Sequence, residues 1–350
     1  MKKIILATLA AAALVACAKE EVVVAPKGEA IAFNNAFVDN ATKAIDPSTT
    51  IDNLQGFQVY GTTEGDHDGA QVVNIFKDVA VGYNLTAGVG ENWKYAAGFT
   101  QYWIADNTYN FAAVANAAGE QVDGVWQTTS VKVNGNGMPE SIEYDAESQK
   151  DLLYATYDNV VGKASGNAPI GFTFNHLLSK VKFSFKNLSA EDSNTTYTYK
   201  VTNVKVYGVR KTAVCNVADY NATSQHYSWP TNTADTWYDE TSFVDFGNIV
   251  ATNETATANS AAINIAPQQQ GSSHYERLLI PGKYDNLTIE CHIELLIGEA
   301  VVDVIEYKNT LSIGIEGGQA FNFVLTGQVG EPIQFTVTKV NEWTENERVL

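Results

Sequence analysis

Apolar and polar positions alternate through most of the chain. Lys180-Val181-Lys182-Phe183-Ser184-Phe185-Lys186 alternates without a break, with Val181, Phe183 and Phe185 on one face, and Ile333-Gln334-Phe335-Thr336-Val337-Thr338 does the same. Phe57-Gln58-Val59-Tyr60 and Val204-Lys205-Val206-Tyr207 are shorter cases. A period of two marks a strand with one buried face. Thr, Val, Tyr, Phe and Ile, which suit a half-buried pleated surface, are abundant. Gly65, Gly69, Asn134-Gly135-Asn136-Gly137 and Gly317-Gly318 punctuate the runs as turn signals. No 3.6-residue period is sustained beyond the N-terminus. Many short strands between turns predict an all-β chain built of antiparallel β-sandwiches.

The N-terminus breaks the pattern. Lys2 and Lys3 precede a run from Ile4 to Ala16 that is apolar except for Thr8 and stops at Leu14-Val15-Ala16-Cys17. A basic start, a short apolar stretch and small residues before a cleavage point make a secretory signal at 1–16. The stretch is too short for a membrane-spanning helix, which needs about 20 residues. Leu14-Val15-Ala16-Cys17 fits the bacterial lipobox, in which the chain is cut after Ala16 and Cys17 carries acyl chains. Two or three buried chains, at about 0.8 kcal/mol per CH2, anchor firmly.

Residues 17–350 suggest two domains, at roughly 100–200 residues each. Residues 18–30 and 39–52 are weakly apolar, and the polar stretch Asn187–Thr196 sits near the middle. It sets the expected division: 17–43 as an N-terminal segment, 44–188 as the first domain and 189–350 as the second. Asn221–Asp239 reads as a long loop or hairpin arm. Forty acidic against 22 basic residues give a net charge of −18. With no basic patch, nucleic acid is excluded as a partner.

The motifs that carry chemistry are absent. The five histidines form no zinc pattern, and Glu64-Gly65-Asp66-His67-Asp68-Gly69 lacks the closing ligand of a calcium loop. Glu290, His292 and Glu294 share a strand face that reads as a solvated surface. No nucleophile motif, P-loop or dinucleotide fingerprint occurs, so no catalytic residue, metal or cofactor is assigned and the chain is not read as an enzyme. Cys215 and Cys291 could pair after export, but two buried small residues is the better reading; alternation puts Cys291 on the face of Ile289, Ile293 and Leu295. Two aromatic groups stand out. One runs from Trp93 to Phe111 and reads mainly as core. The other, Tyr227, Trp229, Trp237 and Tyr238, lies among polar residues; packing is its first reading, with Tyr227, Trp229 and Trp237 as candidate ligand contacts.

Several segments together resemble the fimbrillin family of Bacteroidales, the subunits of type V pili. They are Leu54-Gln55-Gly56-Phe57-Gln58-Val59-Tyr60-Gly61 after Thr42-Lys43-Ala44, and Trp93-x-Tyr95 with Tyr102-Trp103 and Tyr109-Asn110-Phe111-Ala112-Ala113. Asp151-Leu152-Leu153-Tyr154-Ala155 and Phe172-x-Phe174-x-His176-Leu177-Leu178-Ser179-Lys180-Val181 follow. The last are Leu278-Leu279-Ile280-Pro281-Gly282 and Ile333-x-Phe335-x-Val337 before Trp343. The resemblance implies two transthyretin-like β-sandwich domains. It implies an outer-membrane lipoprotein precursor from which a protease removes the N-terminal segment with its first strand. A strand from the C-terminal end of another subunit then fills the groove, and the product is a cell-surface fimbrium. The expected partners are other pilus subunits, alike or different, the outer membrane through the precursor's lipid, and a host or bacterial surface glycan or protein.

The residues give that scheme a physical form. Ile31, Phe33 and Phe37 lie on one face of residues 29–38, a plausible first strand, and Ile333, Phe335 and Val337 offer a matching alternation for a donor strand. Withdrawing a strand leaves unpaired backbone that invites another, and a head-to-tail contact that does not close makes a filament. Alternatively, Ile333–Val337 is a permanent strand of the second domain and the donor begins nearer Trp343. The family is typically cut after Arg, yet Arg210 is the first arginine here, and Lys43 before Ala44 stands in its place. A shaft subunit is the expected role; a tip adhesin or a non-polymerising glycan-binding lipoprotein is the alternative.

Overall fold

The alternating segments become strands whose inward residues sort into two cores. The structure, a computed structural model, describes residues 28–38, 54–65, 72–122, 125–189, 195, 197–221, 223–251, 263–264 and 276–340. Among these there is no α-helix, only single 3-10 turns at Ala97–Phe99 and Ala146–Ser148. The chain is all-β.

Seven strands close into a barrel in the order Phe33–Val38, Ile170–His176, Leu153–Val161, Thr108–Ala115, Gly56–Glu64, Val72–Tyr83 and Trp93–Tyr95, the last pairing back to the first. Aromatic rings fill it: Phe33, Phe57, Phe76, Trp93, Tyr95, Phe111, Phe172 and Phe174 are all buried in one cluster. Several strands bury both faces. In Thr108–Ala115, Phe111, Ala113 and Ala115 face the barrel interior, while Ala112 and Val114 join the second core. Val59 and Tyr60 divide in the same way.

The second core lies between two sheets. Ser179–Asn187 pairs parallel with Ala320–Gly327, beyond which lies Gln334–Val340; on its other side it pairs with Glu276–Leu279 and Ile263–Asn264. The facing sheet runs Val244–Ala251, Tyr197–Tyr207, Gly282–Ile297, Ala300–Ile315. Phe183 meets Phe246 at 4.7 Å and Phe185 meets Tyr199 at 4.8 Å across the gap. Val181, Phe183 and Phe185 point inward, and Cys291 lies on the buried face with Ile289, Ile293 and Leu295.

Strand pairing departs from the sequence-based division in two places. Ser179–Asn187 falls before the boundary expected at 188/189, yet it pairs only with strands of the second group. The chain passes from barrel to sandwich at Leu177-Leu178, both fully buried. The polar stretch after Asn187 merely joins two strands of the second group. Likewise Val131–Val133 and Pro139–Asp145, inside the barrel's span of sequence, form a sheet with Arg210–Asn216 and Thr236–Trp237. Two pairings are also parallel, Phe33–Val38 with Ile170–His176 and Ser179–Asn187 with Ala320–Gly327, where alternation alone suggested antiparallel neighbours throughout.

A buried arginine ties the loops of the second group together. The side chains of Arg210 and Asp235 are 2% and 1% exposed and stand 3.5 Å apart. Arg210 also donates to the carbonyls of Trp229, Pro230 and Pro281. Gly282 leaves the room this needs, since a Cβ there would collide with the guanidinium. Removing one partner of such a pair strands a buried charge, at a cost of about 3–5 kcal/mol. Arg210→Met is therefore expected to lower unfolding free energy by about that much in denaturant titration, and adding Asp235→Leu should recover most of the loss.

Candidate assembly site

The first strand is the barrel's closing seam. Its approach runs beside residues 101–103: the Ile31 amide donates to the Gln101 carbonyl and the Trp103 amide to the Glu29 carbonyl, both at 2.9 Å. The Glu29 carboxylate accepts from the backbone and side-chain nitrogens of Asn167. The strand then pairs with Ile170–His176 on one side and, at Phe33 opposite Trp93, with Trp93–Tyr95 on the other. Ile31 and Phe33 are 0% and 1% exposed. The Phe33 ring contacts Phe57, Phe76, Tyr95, Phe111 and Phe172, at centroid distances from 5.6 to 6.4 Å. The Tyr95 hydroxyl donates to the Ile31 carbonyl at 2.6 Å. Burial pushes that phenol up to about 12, so it stays a donor at neutral pH.

The backbone register changes before Phe37. A bulge lies between Asn34 and Phe37, which shifts the register by one residue. Phe33 is opposite the inward-facing Ile170, whereas Phe37 is opposite the exposed Thr173, and Val38 is opposite the buried Phe174. The side chains of 35–38 lie outside the described residues, as do Ala16, Cys17, Lys43, Ala44 and Trp343.

The donor candidates occupy a strand at home. Gln334–Val340 pairs antiparallel with Ala320–Gly327, with Phe335 opposite Leu325 and Val337 opposite Phe323. Ile333, Phe335 and Val337 are half-buried while Gln334, Thr336 and Thr338 are exposed. Phe335 meets Phe323 edge-on at 5.5 Å. Among the described residues no strand pairs with the outer side of Gln334–Val340, so this segment is an edge strand.

Two of the three candidate contact aromatics are engaged internally. The Tyr227 hydroxyl donates to the His176 carbonyl at 3.1 Å, and the Trp229 indole to the Leu177 carbonyl at 2.9 Å. They clasp the crossing at Leu177-Leu178, where His176 also meets the buried Asp151 carboxylate at 2.6 Å. Trp237 is 44% exposed and touches Tyr284 with its edge at 6.0 Å. Polar neighbours made Tyr227 and Trp229 candidates for a contact surface beside the packing reading; their partners are 51 and 52 residues away in the chain, which local composition does not reveal.

His292 bonds Glu306 at 2.6 Å, and Glu290 accepts from the Tyr207 hydroxyl. Among the described residues no group of three or more His, Cys, Asp or Glu is arranged to hold a metal. Cys215 and Cys291 are buried free thiols. Burial raises both, Cys291 to about 12 and Cys215 further.

The fimbrillin-like family pattern matches residues 42–343. A fimbrial protein of Bacteroides vulgatus shares the fold, with a TM-score of 0.59 at 14% identity over 91% of this chain and all of that one. A fimbrial assembly protein of Parabacteroides distasonis aligns at 12% identity with a TM-score of 0.40, over 84% and 94% of the two chains. No curated protein matches.

Two expectations follow. Phe33→Ala should cost about 3–5 kcal/mol, and hydrogen exchange should speed up along Ile170–His176 and Trp93–Tyr95 before the second core is affected. Neither Cys215 nor Cys291 should react with a thiol reagent at neutral pH in the folded chain, and both should react once it is unfolded.

Proposed function

Because the chain belongs to the fimbrillin-like family, we propose that it is a subunit of a cell-surface fimbrium that polymerises by strand exchange. The observation that carries this reading is the seam: one N-terminal strand closes the barrel, and its withdrawal exposes a groove lined by Trp93, Tyr95, Phe172 and the rings around Phe33. Such a groove needs a strand with alternating apolar side chains, because only backbone pairing satisfies its edges. The edge strand Gln334–Val340, or the residues that follow it through Trp343 to Leu350, has the pattern to supply one. A chain that holds both a groove and a donor joins head to tail, which favours a shaft position over a tip.

In this reading Cys17 carries lipid after the cut at Ala16 and holds the precursor at the outer membrane. A cut between Lys43 and Ala44 then frees residues 17–43 together with the first strand. The transthyretin-like units it implies meet at Leu177-Leu178 rather than after residue 188. The chemistry asked of the protein is binding and folding only, with no catalytic group, metal or cofactor.

The test is to treat purified lipidated precursor with a protease that cuts after Lys. The expected result is loss of residues 17–43 and the growth of SDS-resistant ladders. Lys43→Gln should block the ladders, and deletion of 334–350 should block them without blocking the cut. Protein cut at Lys43 that stays monomeric at high concentration would overturn the proposal.

A further inference from the structure

A small hairpin, Gly119–Val122 with Val125–Thr128, folds over the outer face of the barrel. It is tied down from below. The Gln58 side-chain amide donates to the Trp126 carbonyl at 3.0 Å. The Asp78 carboxylate accepts from the Thr128 amide and the Tyr60 hydroxyl. Between hairpin and barrel lies a pocket of about 240 Å³, lined by Gln58, Val81, Val114, Ala117, Trp126 and Lys150 among others.

Three features of this pocket point to a ligand. Gln58 is only 5% exposed, and its Oε1 has no hydrogen-bond partner. Its Nε2 holds the Trp126 carbonyl, so this buried side chain fixes the hairpin over the pocket. Trp126 is half-buried at the rim, with the Lys150 ammonium 6.0 Å from its ring centre. Gly119 makes that placement possible, since a Cβ there would collide with the Gln127 carbonyl and come within 2.8 Å of the Trp126 indole nitrogen. Lys150 is exposed and makes no ion pair among the described residues. No carboxylate lines the pocket, although acidic residues outnumber basic ones by 40 to 22 in the chain.

We propose that this pocket binds a single sugar ring that carries a carboxylate, as in a uronic acid at the end or along the chain of an acidic glycan. The indole and the apolar floor suit the CH face of a pyranose, and Lys150 meets the carboxylate. A cationic ligand finds nothing to pair with. The pocket's volume equals that of about eight waters, which matches one ring and not an oligosaccharide. Gln58 alternates with the inward residues Phe57 and Val59, so its side chain lies on the hairpin side of the barrel wall; Phe57 and Val81, which also line the pocket, belong to the barrel core.

The experiment is a titration of the full chain with methyl glucuronide, methyl glucoside and glucosamine, followed by ligand-observed NMR and calorimetry. The glucuronide is expected to bind with a dissociation constant on the order of 1 mM, the glucoside more weakly, and glucosamine not at all. Lys150→Glu, at an exposed position, should weaken the glucuronide by at least about fivefold while the unfolding midpoint stays in place. Trp126→Ala should abolish the signal. Absence of saturable glucuronide binding would overturn the proposal, as would equal binding by the Lys150→Glu chain or binding of glucosamine as strong as that of the glucuronide.

Discussion

A sheet that closes on itself has no free edge, and here closure hangs on one short strand. Six strands of the barrel come from residues 56–176; the seventh, Phe33–Val38, comes just before them in the chain and touches both open sides at once. Phe33 sits at the centre of the aromatic interior, so the same residue closes the ladder and fills the core. Burying Ile31 and Phe33 contributes roughly 1.5–3 kcal/mol each, and each backbone hydrogen bond adds about 1 kcal/mol. These terms are large against the net stability of a typical domain, about 5–15 kcal/mol. They are also separable, because no other barrel strand depends on the first for its own pairing except at the two seam edges.

The strands beside the seam are also held from the other side. Ile170–His176 pairs with Leu153–Val161 only near its end, at His176 with Leu153 and Asn175 with Tyr154. At that end it is pinned by the His176–Asp151 contact, by the Leu177 amide donating to the Leu152 carbonyl, and by Tyr227 bonding to the His176 carbonyl. The outer faces of the barrel strands are also core for the rest of the molecule, through Tyr60, Ala112, Val114 and Tyr154. An open seam therefore borders strands whose other face stays packed.

The parts of this arrangement that depend on local period were legible in the sequence. Alternation located the inward residues of Ser179–Asn187, the core side of Cys291, and the pair Ile31 and Phe33. A bulge between Asn34 and Phe37 interrupts the alternation that grouped Phe37 with that pair. Local polarity misplaced the boundary, because the crossing at Leu177-Leu178 is apolar and buried while the polar stretch after Asn187 only links neighbouring strands. The Arg210–Asp235 pair, the Asp151–His176 contact and the anchoring of Tyr227 and Trp229 join residues far apart in sequence, and no local pattern announces them. The pocket at Gln58 has the same origin: its lining comes from the barrel, the hairpin and the 3-10 turn before Lys150, and the alternating Phe57-Gln58-Val59 registers only as a strand.

The seam also sets a condition on how a strand could be exchanged. While the first strand is joined to the barrel through residues 39–53, it competes for the groove as part of the same molecule, at an effective concentration that reaches the millimolar range for short linkers. In the proposed exchange, a strand from a second subunit would have to beat that figure with a similar set of contacts, since both sequences alternate apolar residues. Equal contacts cannot overcome so large a concentration term. Cutting the linker removes it, and the freed segment is diluted into bulk while the incoming strand remains attached to a large partner. In the proposed scheme, covalent continuity at Lys43 therefore sets the direction of exchange when the two strands fit the groove equally well.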